Sequence, residues 1–200
     1  MKSITNRSKI LALDFDGVLF DTSFEKLFTG FNAYRLVNPN TELFGGKRLS
    51  FENYNYIRSH YTELVDRFNI LIDFIGAAGE NACIFELLET QGMIRQEREY
   101  RQFIKNIDYD IYKKYHHTML MLRDEYETQN NNEYIKLIKP NHEIIEPLRE
   151  LHENIFVFIC SMKPKNNIEY ILSSHGVSHL FNDTISILSS QVKIQLLEEY

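Results

Sequence analysis

The sequence lacks the features that mark several large classes of protein. Only two of its 200 residues are cysteine, Cys83 and Cys160, and neither sits in a metal-ligand spacing. That argues against a disulfide scaffold or a zinc cluster and makes a reducing compartment the expectation. Cys160 lies in an apolar run and reads as a buried thiol. Basic charge is also short: 22 Lys and Arg stand against 28 Asp and Glu, for a net charge of −6. A general nucleic-acid binder would be basic, so no nucleic-acid partner is expected, although a local cluster of cations could still take a small anion. No uncharged apolar run approaches the ~20 residues that cross a bilayer, and the opening MKSITNRSKI lacks the apolar centre of a signal peptide. A soluble, cytoplasmic protein with no membrane partner follows as the expectation. The chain has no internal repeat, and Gly45-Gly46 is not part of a Walker-type phosphate loop.

What is present is enough apolar material, 44% of residues with 13% aromatic, for the core of one domain of ordinary size or one carrying a large insertion. By texture the chain has three parts. Ile10 to Leu13 (ILAL) reads as a short strand buried on both faces, as in a parallel sheet. It runs into Asp14, Phe15, Asp16 and Gly17. On an extended segment the two carboxylates point to one side and the phenylalanine to the other, and the glycine permits a turn. Two carboxylates sharing a face repel each other, so their presence points to metal binding or to paired nucleophile and acid work. A solvated, capping Asp-x-Asp turn is the plainer alternative.

From Thr22 to Lys139 the pattern is helical. Tyr54, Ile57, Tyr61, Leu64, Val65, Phe68, Leu71, Ile72 and Ile75 recur at spacings of three and four and predict a broad apolar helix face across 51–75. Segments 83–88 and 100–122 behave alike, with breaks at 45–48 and 76–79 and a solvated loop at Asn130 to Asn132. The tyrosines Tyr109, Tyr112 and Tyr115 are expected to pack within this part. His116 and His117 face different directions on a helix and are not expected to share a metal.

Near Pro140 the character changes. HEIIEPLRELHE reads as an amphipathic helix with Pro147 in its first turns, and IFVFIC (155–160) as a buried strand. Pro164 opens a helix that runs to about Ser174, with Gly176 at its end. TISIL (184–188) is a third strand, with a helix expected from about Ser190. Short apolar strands alternating with helices predict an α/β protein with a parallel sheet. Ligands collect at the carboxyl ends of such strands, where Asp14, Asp16 and Ser161 would converge.

DFDGVLFDT resembles the nucleophile loop of the haloacid dehalogenase-like (HAD) hydrolase superfamily, DxD followed by Gly-[Val/Thr]-Leu. CSMKP after a strand resembles its second motif, and HGVSHLFNDTIS resembles a segment of the β-phosphoglucomutase and phosphoglycolate phosphatase branch. The resemblance implies a Rossmann-type core from 1–21 and 140–200, with an all-helical cap domain at 22–139. It implies that Asp14 attacks a phosphoryl group to form an aspartyl-phosphate, that Asp16 is general acid and base, and that both help hold Mg²⁺. Ser161 would hydrogen-bond the phosphoryl group, a plain helix cap being the alternative. The superfamily's phosphate-binding lysine would be Lys193, or Lys163 by its proximity to Ser161; Ser190 could equally take the position of the former. Asp16 favours phosphoryl transfer over dehalogenation. The expected function is Mg²⁺-dependent hydrolysis of a small phosphorylated metabolite. A non-catalytic relative and a phosphomutase are the alternatives. The superfamily's later acidic motif, GDxxxD, has no counterpart after TISIL; Glu198 and Glu199 are expected on a helix. On that reading the core is incomplete at its C-terminus, Mg²⁺ affinity suffers, and the first strand's edge is exposed for possible self-association.

Overall fold

Ile10–Leu13 (β1), Phe156–Ser161 (β4) and Asp183–Ser186 (β5) form a parallel sheet in the order β1-β4-β5. The structure is a computed structural model that describes residues 9–92, 94–129 and 131–187. Phe156 to Ser161 are six consecutive buried residues, as expected for a strand with sheet neighbours on both sides. Phe156, Phe158 and Cys160 build one core cluster with Ile187, against which Ala12 and Ile185 pack.

β1 departs from expectation. It is half-buried rather than buried on both faces, with Ile10 39% exposed. Among the described residues it is an edge strand with one neighbour, so its apolar run is covered only in part.

Asn182 extends the β4–β5 ladder by a reciprocal pair: its N–H donates to the Val157 carbonyl at 2.7 Å and its Oδ1 accepts the Val157 N–H at 2.8 Å. A helix at His142–Leu151 (α8) precedes β4 and one at Lys165–Ser174 (α9) follows it. Ile145 and Leu148 are the buried side of α8. Pro147 is its sixth residue. Pro164 is the cap before α9 rather than a residue of its first turn. The end of α9 closes as a Schellman motif, Gly176 N–H to Ser173 O at 3.0 Å and Val177 N–H to Leu172 O at 3.0 Å. The third strand is Asp183–Ser186, one residue earlier than TISIL; Leu188, and the helix expected from Ser190, lie outside the described residues.

The chain divides into two compact units at Thr22/Ser23 and at Leu137/Ile138. Lys139 therefore belongs with the sheet rather than the helices. The reason is a two-residue antiparallel pairing that the sequence did not disclose, Phe20–Asp21 (β2) with Lys139–Pro140 (β3). It ties together the strands by which the chain leaves and re-enters the sheet unit.

Among the described residues the regular structure of the other unit is helical. Ser23–Val37 (α1) packs against Glu80–Thr90 (α4) and Tyr109–Gln129 (α6). Gly30 allows the close approach of α4: a Cβ there would stand 2.9 Å from the Asn81 carbonyl oxygen. The apolar face predicted over 51–75 is split into Tyr54–His60 (α2) and Thr62–Leu71 (α3). Tyr61 leaves helical dihedrals between them, its ring meeting Phe44 edge-on at 5.6 Å. The 100–122 pattern is likewise split, into Glu97–Asn106 (α5) and α6. Asp108 explains the break, since its Oδ1 accepts the N–H groups of Asp110 and Ile111 at 2.9 and 3.1 Å and caps the new helix. Asn131 and Asn132 begin a short helix, Asn131–Tyr134 (α7), instead of a loop. Of the three tyrosines expected to pack, Tyr115 is buried but Tyr109 is 68% exposed, with the Lys113 ammonium over its ring.

A buried ion pair crosses this unit. Arg123 donates from Nε and Nη2 to the two oxygens of Glu25 at 2.7 and 3.0 Å, and the Tyr134 hydroxyl adds a third bond to Oε1 at 3.1 Å. Burial, reinforced by nearby carboxylates, pushes the phenols of Tyr34, Tyr100, Tyr115 and Tyr134 well above their ordinary value. Removing one partner of such an ion pair leaves a buried, uncompensated charge. Glu25→Gln should therefore cost roughly 3–5 kcal/mol, read as a fall in the denaturant midpoint. The double variant Glu25→Leu with Arg123→Met should recover most of the loss.

Candidate functional site

Asp14 directly follows β1, and the chain turns at once. Phe15 is wholly buried and stacks on Phe20, centroids 4.9 Å apart. The Phe15 carbonyl accepts the N–H groups of both Leu19 and Phe20, at 3.1 and 3.0 Å, and Gly17 N–H closes on Phe20 O at 2.8 Å. Gly17 has φ +78° with nothing within 4 Å of a Cβ, so its backbone conformation and not crowding calls for glycine. Asp16 lies inside this turn, not on the strand. The strand-pleat reason for placing Asp14 and Asp16 on one side therefore does not apply. Instead, the buried Phe15 between them anchors the turn and leaves both carboxylates half-buried. Asp14 Oδ1 also accepts the Phe15 N–H at 2.7 Å.

Two further groups hold the turn. Asn141, the residue before α8, makes no side-chain cap bond to its own helix. Its N–H donates to Leu19 O at 2.9 Å and its Nδ2 to Val18 O at 3.0 Å. The other is His175, whose ring lies 5.2 Å from that of Phe20 and whose Nε2 is buried without a hydrogen-bond partner among the described residues.

β4 delivers the remaining groups. The register pairs Leu13 with Ile159 and Ser161 with Ser186, so the ends of all three strands open on the same edge of the sheet. Ser161, 2% exposed, accepts the Lys163 N–H on its Oγ at 3.2 Å. It is not a helix cap, since Pro164 occupies the cap position of α9. Lys163 is buried, its side chain 4% exposed, with Nζ 3.6 Å from Asp16 Oδ1 and 5.8 Å from the centre of the Phe15 ring. The structure thus brings Asp16, Lys163 and Ser161 into one chain of contacts with Asp14 at the start of the same turn. Lys193, Ser190, Glu198 and Glu199 lie outside the described residues.

Sequence reasoning missed Asn141 and Ser186. The hydroxyl of Ser186 donates to the Lys163 carbonyl at 3.0 Å. A serine inside TISIL was a visible signal; its register with Ser161 was not. Arg48, in the helical unit, donates to the Tyr126 hydroxyl at 3.3 Å and stands 4.0 Å from Glu125.

Asp14 and Asp16 supply hard oxygen donors. Among the described residues no group of three or more His, Cys, Asp or Glu is arranged to hold a metal ion. Mg²⁺ is commonly held by one or two carboxylates together with substrate phosphate and retained waters, and the pair fits that mode. The Lys163 ammonium, 3.6 Å from Asp16, offsets charge on this carboxylate pair. Among the described residues no helix is long and apolar enough to cross a membrane.

No protein-family model and no curated protein matches the sequence. Solved structures do. A phosphoglycolate phosphatase predicted in Haemophilus somnus matches at 15% identity and TM-score 0.54, over 98% of this chain and 73% of that one. A phosphatase predicted in Clostridium acetobutylicum matches at 14% identity and TM-score 0.55, over 96% and 69%. A haloacid dehalogenase-like family hydrolase from Streptococcus pneumoniae matches at 14% identity and TM-score 0.51, over 96% and 69%. At such identities the likeness is one of fold: the chain has the HAD-like fold, an α/β core interrupted by a helical insertion.

Burial holds the His175 imidazole below its ordinary value of 6.5, opposed by a bond to the Ile138 backbone and aided slightly by His142. The unfolded chain therefore takes up this proton at a higher pH than the folded one does. The resulting stability is complete above pH 6.5 and declines as pH falls from there through the lower folded value. His175→Gln should flatten that acid limb in melting temperatures taken between pH 7.5 and 5.

Proposed function

We propose that the chain is a divalent-cation-dependent phosphohydrolase acting on a small phosphorylated metabolite, with Asp14 as nucleophile and Asp16 as general acid and base. The observation that carries this reading is the buried Lys163 ammonium, 3.6 Å from Asp16 and two residues past the end of the strand that pairs with β1. A buried ammonium beside a carboxylate pair at the strand ends is suited to receiving a phosphoryl group.

In this reading an oxygen of Asp14 attacks phosphorus as the bond to the substrate's leaving oxygen breaks, and an aspartyl-phosphate forms. Asp16 gives its proton to the leaving oxygen. It then takes a proton from the water that attacks the aspartyl-phosphate, which releases inorganic phosphate and restores Asp14. Ser161 Oγ accepts from Lys163 N–H and keeps its own O–H as a donor for a phosphoryl oxygen. Lys163 lends positive charge to that group. Mg²⁺ held by Asp14, Asp16 and the phosphate would neutralise charge and orient the phosphorus.

Against a generic aryl phosphate, Asp14→Asn should lower turnover by roughly three orders of magnitude or more, and Asp16→Asn by roughly 10²–10⁴-fold. Chelation by EDTA should silence the wild type and added Mg²⁺ should restore it. Full turnover by Asp14→Asn would overturn the reading.

A second reading, a non-catalytic chain that self-associates, is favoured by one observation: β1 is an edge strand among the described residues, with Ile10 exposed. Edge pairing between copies would appear in sedimentation velocity as a concentration-dependent shift to dimer, reduced by Ile10→Lys. A monomer at every concentration would end it.

A further inference from the structure

Ser161 and Ser186 are register partners on adjacent parallel strands, so their side chains leave the sheet on the same face. Both hydroxyls engage one residue. Lys163 N–H donates to Ser161 Oγ at 3.2 Å, and Ser186 Oγ donates to the Lys163 carbonyl at 3.0 Å. Neither direction is open to choice, because a backbone N–H only donates and a carbonyl only accepts. The ladder bond from Ile187 N–H to the Ser161 carbonyl, 2.9 Å, locks the two strands together at the same level. The backbone of Lys163 is therefore gripped on both its polar groups just past the strand end, where a chain is ordinarily loose.

The two serines differ in what they have left. The Ser161 hydroxyl spends an acceptor site on Lys163 and retains its proton. Ser186 spends its single proton on the Lys163 carbonyl, so it has no donor to offer a phosphoryl oxygen. What the grip governs is the far end of the lysine, whose ammonium is held beside Asp16 in a nearly closed environment.

We propose that Ser186 is a positioning residue for anion binding, acting through the Lys163 backbone to fix the ammonium that meets the substrate phosphate. This deepens the phosphohydrolase reading and rests on it.

The test is calorimetric titration of inorganic phosphate, with Mg²⁺ present, alongside KM and kcat on an aryl phosphate. Ser186→Val removes the hydroxyl and Ser186→Thr keeps it, the two side chains being alike in shape and both suited to a strand. Ser186→Val should weaken phosphate binding about five-fold, the scale of one net hydrogen bond, and raise KM in proportion with kcat nearly unchanged. Ser186→Thr should bind as wild type does. Lys165→Met removes an exposed ammonium paired with Asp183 at 3.5 Å and Glu169 at 3.8 Å, and it should change nothing, which separates positioning from bulk charge. Lys163→Met should lose more affinity than Ser186→Val. If Lys163→Met weakens phosphate binding and Ser186→Val does not, the proposed grip is idle and the inference fails alone. Equal losses in the Val and Thr variants also overturn it, since the hydroxyl would then be irrelevant. If Lys163→Met binds phosphate as wild type does, the reading of the site itself fails.

Discussion

β4 is hydrogen-bonded to a parallel neighbour on each side, and that double pairing decides where each candidate group in the sheet unit emerges. Parallel strands end on the same edge, so Asp14, Ser161 and Ser186 arrive together although they are far apart in the chain. The side-chain period of a strand is two, so a one-residue slip would turn Ser186 away from Ser161 and release the backbone of Lys163. The reciprocal bonds of Asn182 with Val157 resist such a slip at the opposite end of the same pair. Register here specifies the site as much as the fold.

The acidic turn follows a second rule, in which apolar burial positions charge. Phe15 is sealed between Phe20 and the interior, and the carboxylates on either side of it stay half-buried because the ring does not. Asn141 and His175 support that arrangement from elements that follow the helical insertion in the chain. The ammonium of Lys163 offsets part of the repulsion between the two carboxylates but not all of it.

The helical unit uses different means. Its helices are joined by aromatic contacts, such as Phe31 with Phe44 at 4.7 Å and Phe68 with Phe85 at 5.2 Å, and by the Glu25–Arg123 pair. The phenols of Tyr34 and Tyr115 are spent on the carboxylates of Glu89 and Glu86. Arg48 donates to the Tyr126 hydroxyl and stands beside Glu125 in the same unit.

The amino-acid sequence by itself determined the three strands of the parallel sheet to within two residues and the helical nature of the long middle segment, and it singled out Asp14, Asp16 and Ser161, with Lys163 second to Lys193, as candidate groups. Those features are local: an apolar run with bounding turn residues, a 3.6-residue period, a carboxylate pair beside a glycine. The breaks at Tyr61 and Asp108 also lay in the sequence but were masked by apolar periodicity that continues across them. Tertiary structure alone decided the rest. The half-exposure of β1 goes with its having one strand neighbour among the described residues, which no strand's own composition records. The pairing of Phe20–Asp21 with Lys139–Pro140 joins segments separated by the whole helical insertion. The grip of Ser161 and Ser186 on Lys163 depends on register, and the choice of Asp16 as that lysine's partner depends on how the turn after β1 folds. Contacts between distant residues depend on which segments lie side by side, and only the packed chain settles that.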